Sequence, residues 1–236
     1  MPSDDPVLLI TGASSGIGEA AARQAAERGY RIVLGARRRK ELERIAKELG
    51  GPDRALGRTC DVTDWADVEG LVEAAMSHFG RIDAVFANAG FGAARGFLEE
   101  SPEHWKAMVD TNVLGVALTI RATLPILLDA GSGHYLITGS VAGRRVLPGS
   151  LYSATKWAAG AIAEALRQEL RQMHETDAIR VTLIAPGMVD TPFFDNRPTS
   201  GALEADDVAR AVIYALEQPE RVDVNEVLLR PSAQSG

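Results

Sequence analysis

The stretch VLLITGASSGIGEAAARQAAERGY, from Val7 to Tyr30, passes from an apolar run to an alanine-rich run through a segment of Gly, Ser and Thr. A short run of Val, Leu and Ile reads as a strand covered on both faces, and the longer run after it as a helix. The tight turn between them needs positive φ or close backbone approach, which glycine permits, and Gly12, Gly16 and Gly18 stand there. Such a turn leaves the first N–H groups of the helix open, and these, with the helix dipole, favour an anion such as a pyrophosphate. Gly12, Ser14, Ser15, Gly16, Ile17 and Gly18 are therefore candidate phosphate-binding residues. The spacing is G-x-x-x-G-x-G rather than G-x-G-x-x-G, and a plain tight turn is the alternative. Its place on the first strand and first helix favours the ligand.

The same alternation continues along the chain. Strands are predicted at Val7–Ile10, Arg31–Leu34, Ala55–Cys60, Ile82–Ala87, His134–Thr138, Ile179–Ile184 and Glu226–Leu229. Helices are predicted at Ile17–Arg28, Lys40–Leu49, Trp65–Phe79, Pro102–Leu128, Tyr152–His174 and Ala205–Glu217, with Asp64 placed to cap the third. Sustained strand–helix alternation gives an α/β fold: a doubly wound, Rossmann-like parallel sheet with helices on both faces, over residues 1–236 as one domain. The irregular Met188–Leu203 segment follows a strand and reads as a surface connection or, better, a short substrate-side lid.

A formal net charge of −7 argues against nucleic acid or an anionic membrane as a partner. With Cys60 as the only cysteine and no paired histidine motif among His78, His104, His134 and His174, no metal site is expected. The acidic start MPSDDP is no signal peptide, and no apolar stretch approaches the roughly 20 residues of a membrane helix. A cytoplasmic protein is expected.

After the second strand, where NAD sites often carry an acid, stand Ala36 and then Arg37, Arg38, Arg39 and Lys40. Four cations at a helix start oppose its dipole, so an anion should compensate. The 2′-phosphate of NADP is the natural candidate, with Arg37 best placed and Arg38 beside it. The alternative is a solvated basic run balanced by Glu41 and Glu43. In LYSATK, Tyr152 and Lys156 share one face of a helix start, backed by Ala158, Ile162, Leu166, Leu170 and Met173. A phenol must fall by roughly 3 pKa units, about 4 kcal/mol, to work near neutrality. One ammonium at about 4 Å supplies that order of energy only in a partly dry cleft. A second positive charge, such as an oxidised nicotinamide, would help. Ser140, ending the strand HYLITGS, either holds a substrate oxygen or caps a turn. Asn112 lies on the apolar stripe of Trp105, Met108, Val109, Val116 and Ile120, satisfying local backbone or joining a polar network.

Together TGASSGIG, CDVTD (Cys60–Asp64), ANAG (Ala87–Gly90), NVLG (Asn112–Gly115), GSVAG (Gly139–Gly143), YSATK and PGMVDT (Pro186–Thr191) resemble the short-chain dehydrogenase/reductase family in its single-domain, NADP-preferring form. The resemblance implies a seven-stranded sheet, a nicotinamide cofactor (NADP ahead of NAD) and a catalytic set of Asn112, Ser140, Tyr152 and Lys156. It implies that Asp61 and Val62 flank the adenine and that Asn88, Ala89 and Gly90 lie along the cofactor. Pro186, Gly187, Val189 and Thr191 would meet the nicotinamide. It further implies carbonyl–alcohol interconversion of a small molecule, a water-linked proton path through Asn112, and a homodimer or homotetramer built on the long helices. The chain departs from the family pattern at Ala87, where Asn is usual, and in a short interval between Ser140 and Tyr152. The alternative function is a non-catalytic NADP-binding or sensing protein on the same fold; all four catalytic positions being present argues for an enzyme. A nucleotide-sugar epimerase or dehydratase is disfavoured by the short chain and the glycine spacing. For the substrate, Phe91, Leu147, Met188, Phe193 and Phe194 could line an apolar pocket, and Arg144 or Arg145 anchor a carboxylate or sit in solvent.

Overall fold

A computed structural model of the chain describes residues 4–192 and 201–234. All seven predicted strands form, and they make one parallel sheet. In chain order the elements are β1 (Val7–Thr11), α1 (Gly16–Glu27), β2 (Arg31–Ala36), α2 (Arg39–Glu48), β3 (Ala55–Thr59), α3 (Trp65–Phe79) and β4 (Ala84–Ala87). There follow α4 (Pro102–Val109), α5 (Gly115–Ala130), β5 (Gly133–Thr138), α6 (Leu151–Gln172), β6 (Ile179–Pro186), β7 (Val189–Asp190), β8 (Leu203–Glu204), α7 (Ala205–Leu216) and β9 (Glu226–Leu229). The sheet order is β3-β2-β1-β4-β5-β6-β9. The order in which strands are added reverses between β1 and β4, the switch point where such sheets bind ligands outside their strand C-termini.

The pleat sorts the core. Val7 and Leu9 of β1 face a cluster with Leu71, Val116, Tyr135, Ala159 and Leu166, on the side of α3, α5 and α6. Leu8 and Ile10 face the other way, against Ala21, Leu42, Val208 and Val212 of α1, α2 and α7. Both sheet faces are covered, which is why the strands read as unbroken Val/Ile/Leu runs. Asp64 caps α3 as expected, its Oδ1 accepting from Asp67 N at 3.2 Å.

Four expectations need correction. The predicted Pro102–Leu128 helix is continuous to Ala130, but α4 and α5 meet through a π-helical turn at Asp110–Leu114. At 29 residues it is long and apolar enough, by length and composition, to cross a membrane, contrary to the sequence reading. In this fold it is a layer of the α/β sandwich, burying Val116, Thr119, Ile120, Thr123 and Leu127. Val109, placed on its apolar stripe, is 38% exposed. In α6 the buried line is Lys156, Ala159, Ala163, Leu166 and Leu170, and Met173 is exposed.

One buried group gives a pH prediction. His134 on β5 shares a hydrogen bond with Thr182 Oγ1 through Nε2 at 2.8 Å, while its Nδ1 has no partner among the described residues. Burial, and then the charge of Arg180, hold its pKa down to about 3, against 6.5 for a free histidine. Between those values only the unfolded chain takes the proton. The histidine's contribution to stability is therefore intact above 6.5 and lost as pH falls toward 3, at up to about 1.4 kcal/mol per pH unit. Urea midpoints measured from pH 7 to 4 should fall, and should fall less steeply in His134→Leu. An identical slope in the variant would assign acid sensitivity to other groups.

Candidate active site

The C-terminal strand ends open on a single cleft of about 850 Å³, within the range of small-molecule sites. Behind β1 it is lined by Gly12, Ser14, Ser15, Gly16 and Ile17; behind β2 by Ala36, Arg37 and Arg38; behind β3 by Asp61 and Val62. Behind β4 come Asn88, Ala89 and Gly90, behind β5 Ser140, and behind β6 Pro186, Gly187, Val189 and Thr191. Tyr152 and Lys156 reach in from α6. Of the residues predicted from sequence, Gly18 and Asn112 do not line it. Gly18 lies under the turn, where a Cβ would come 2.4 Å from the Gly12 carbonyl oxygen, so it serves packing.

At the phosphate end, Gly12 and Gly16 have φ of +66° and +57°, as the tight turn required. Ser15 precedes α1 in extended conformation, and its side chain makes no capping bond, leaving the first-turn N–H groups for an anion. Arg38 forks onto this turn: its Nε and Nη2 reach Ser14 Oγ at 3.1 and 2.9 Å, and Nη2 reaches Ser15 Oγ at 2.5 Å. Arg37 lines the cleft and acts on Asp61. Burial pushes the Asp61 carboxyl up, but the N–H and hydroxyl of Thr63 and then the Arg37 charge bring it below the usual carboxylate range. An uncapped helix start, two arginines and no acid at Ala36 fit a dinucleotide with a 2′-phosphate.

The middle of the cleft is stitched by Asn88. Its Nδ2 donates to the carbonyls of Thr11 and Gly12 at 3.1 and 3.3 Å, and its Oδ1 accepts from Thr138 Oγ1 at 3.1 Å. One amide thus fixes the ends of β1, β4 and β5 together.

At the other end, Ser140 follows β5, and its Oγ accepts from Ala142 N at 3.1 Å. The short turn Val141–Gly143 packs so closely on α6 that a Cβ on Gly143 would lie 2.5 Å from the Lys156 carbonyl oxygen. This contact sets Ser140 beside Tyr152, whose phenol it hydrogen-bonds. Ser150 caps α6, accepting from Ser153 N at 3.2 Å. Lys156 Nζ donates to the Thr138 carbonyl at 2.8 Å and stands 5.7 Å from the centre of the Tyr152 ring. Burial pushes the phenol up to about 12, with the Ser140 hydrogen bond opposing it, and pushes the Lys156 ammonium down to about 8. The protein's own groups therefore keep Tyr152 protonated.

Asn112 acts from behind this wall. In the π-turn its Oδ1 accepts from Phe91 N at 3.0 Å, and its Nδ2 donates to Phe91 O at 2.9 Å and Thr155 Oγ1 at 3.1 Å. Thr155 Oγ1 in turn donates to the Tyr152 carbonyl at 2.8 Å. The side chain is thus bonded to local backbone and also tied to the turn carrying Tyr152. Asn112→Ala strips a buried N–H and C=O of their partners and should cost about 2–3 kcal/mol in urea unfolding. A loss under about 0.5 kcal/mol would mean that water replaces the amide.

Sequence reading missed three participants. The Thr138 carbonyl that holds Lys156 carries no side-chain signal, and Thr155 matters only through its bond to Asn112. Arg95, in the loop after β4, lines the cleft and was not singled out. Of the substrate-side candidates, Phe91, Leu147 and Met188 line the cleft, while Phe193 and Phe194 lie outside the described residues. Arg144 is committed to Glu226, Nε to Oε1 at 2.9 Å, and neither it nor Arg145 lines the cleft. Residues 193–200 of the predicted lid, near 188–203, lie outside the described residues, and the strands on either side are joined. Val189 pairs with Leu203, and Asp190 with Glu204, as a parallel ladder of β7 and β8.

Comparison with known proteins adds to this geometry. The family profile for short chain dehydrogenases matches residues 6–200. An uncharacterized oxidoreductase of Staphylococcus saprophyticus is 41% identical over 98% of both chains. An alcohol dehydrogenase from the archaeon Thermococcus sibiricus, complexed with 5-hydroxy-NADP, superposes with a TM-score of 0.89 at 37% identity, covering 98% of each chain. A short chain dehydrogenase/reductase from Burkholderia phymatum in complex with NAD gives 0.85 at 30% identity, covering 97% of this chain and 90% of that one.

Proposed function

The chain belongs to the short chain dehydrogenase family, and from that premise we propose an NADP(H)-dependent oxidoreductase that interconverts a carbonyl and a secondary alcohol. The observation that carries the reading is a cleft with Ser140, Tyr152 and Lys156 at one end and Arg37 and Arg38 at the other. A nicotinamide bound between them supplies or accepts the hydride.

In this reading the first turn of α1 takes the pyrophosphate, Arg37 and Arg38 the 2′-phosphate, and Asp61 and Val62 flank the adenine. Asn88, Ala89 and Gly90 border the middle of the cofactor, and Pro186, Gly187, Val189 and Thr191 its reactive ring. Ser140 and Tyr152 hydrogen-bond the substrate oxygen. In reduction Tyr152 gives its proton to that oxygen, which becomes a stronger base than a phenolate as it turns into an alkoxide. A phenol held near 12 suits this direction. Running in reverse, Tyr152 must lose its proton first, and Lys156 then needs a further positive charge nearby to stabilise the phenolate. Asn112 positions the Tyr152 turn and borders the path by which Lys156 is reprotonated.

The chain is further proposed to be cytoplasmic and to form a homodimer or homotetramer. What supports assembly is the exposure of Leu114, between α4 and α5, and of Trp157 on α6, at 46% and 48%. A non-catalytic NADP-sensing role has no observation in its favour. The test is a panel of aldehydes, ketones and oxo acids, read by nicotinamide absorbance with NADPH and NADH side by side. Turnover on at least one carbonyl is expected; none across the panel would return the reading to a binding protein.

A further inference from the structure

We propose that Arg95 is a specificity residue that selects carbonyl substrates bearing a carboxylate, an inference that rests on the oxidoreductase reading above. Among the described residues the cleft holds four cationic side chains, and three have assigned work. Arg37 and Arg38 stand at the phosphate end, and Lys156 is held by the Thr138 carbonyl beside the phenol. Arg95 is the fourth.

Its surroundings leave it uncommitted. Among the described residues Arg95 has no ion-pair or hydrogen-bond partner, whereas Arg144, the cation suggested by sequence, is held by Glu226. Asp110, the carboxylate bordering the cleft from the π-turn, is paired with Lys106. Glu100, in the same loop as Arg95, accepts from Ala94 N at 3.1 Å and faces His104 at 3.6 Å. Asp110 and Glu100 thus have other partners, and Glu99, four residues on, makes no ion pair with Arg95 among the described residues.

Its position is fixed from below. Gly96 N donates to the Gly149 carbonyl at 2.9 Å, which joins the Arg95 loop to the segment leading into α6. Leu147 and Ser150 of that segment line the same cleft, just ahead of Tyr152. The guanidinium therefore belongs to the rim on the tyrosine side. A substrate whose carbonyl oxygen sits at Ser140 and Tyr152 can reach it only with a second group. A carboxylate matches the guanidinium fork with two parallel hydrogen bonds, and a neutral ester or alkyl group does not. The class is a short oxo acid, or the hydroxy acid in reverse.

The experiment compares acetoacetate with methyl acetoacetate and butanone, in wild type, Arg95→Gln, Arg95→Lys and Arg221→Gln, the last an exposed arginine away from the cleft. In wild type, kcat/KM should favour the acid over its ester, and added salt should erode the preference. Arg95→Gln should lower the acid-to-ester ratio about tenfold, the loss of a charge-assisted hydrogen bond at a solvent-open rim, and through KM rather than kcat. Arg95→Lys should recover part of the ratio, and Arg221→Gln should leave it at the wild-type value. Turnover of the ester and butanone with a ratio that Arg95→Gln does not change would overturn this inference alone. Failure to reduce any of the three, or any carbonyl of the wider panel, would overturn the oxidoreductase reading and this one with it.

Discussion

Tyr152→Phe is expected to lower kcat by about a thousandfold or more, within the range for loss of a positioned general acid. The NADPH dissociation constant should change by less than about threefold, since the ring and its packing remain and one hydroxyl is lost. The effect is large because, among the described residues, no other group in the cleft replaces the phenol. Ser140 Oγ already accepts from Ala142 N, and a serine hydroxyl is a far weaker acid than a phenol. Lys156 is turned to the Thr138 carbonyl, 5.7 Å from the centre of the tyrosine ring. Single-turnover reduction with saturating NADPH, alongside fluorescence titration of NADPH, separates chemistry from binding. If the variant retained more than about a tenth of wild-type turnover, the proton donor would have to be sought elsewhere.

Exchanging both arginines behind β2, as Arg37→Gln with Arg38→Gln, should cut the ratio of kcat/KM for NADPH over NADH by about a hundredfold. Each charged hydrogen bond to a phosphate is worth about 1.5–3 kcal/mol, and the open site argues for the low end. The two residues should not contribute equally. Arg38 is already braced on Ser14 and Ser15, so it meets a phosphate with little ordering cost, whereas Arg37 must be ordered on binding. Ala36→Asp, which restores an acid at the strand end, should push the preference further toward NADH. A wild-type ratio near one, or a ratio untouched by the double exchange, would show that the basic run is only a solvated surface.

The sheet was legible because its strands are buried on both sides. Runs such as VLLIT and RIVLGA carry the signal in their composition, and glycines at the turns mark where strands end. The cleft was legible because the ends of parallel strands are short stretches of sequence. What escaped has physical reasons. The π-turn at Asp110–Leu114 depends on a hydrogen bond five residues back, from Gly115 N to the Asp110 carbonyl, and neither composition nor a helical period registers that. The buried line of α6 runs through Ala159 and Ala163, small residues that weigh little beside the neighbouring Ile162. That Arg38 meets Ser14 and Ser15 could not be read, because the bond joins two separate parts of the chain. Arg95 stayed hidden because its significance lies in the partners it lacks, a property of the folded neighbourhood.

The two-residue ladder of β7 and β8 works as a collar. By pairing Val189 with Leu203 and Asp190 with Glu204, it fixes where the backbone leaves the sheet and where it returns to α7. Lengthening the chain between these two strands carries a small penalty, since doubling a flexible loop adds only about 0.6 kcal/mol of closure entropy. Segments from other proteins can be spliced in at this point, like a fitting on a threaded neck, without re-registering β6 or α7. Such an insertion would leave the strand ends that floor the cleft in place.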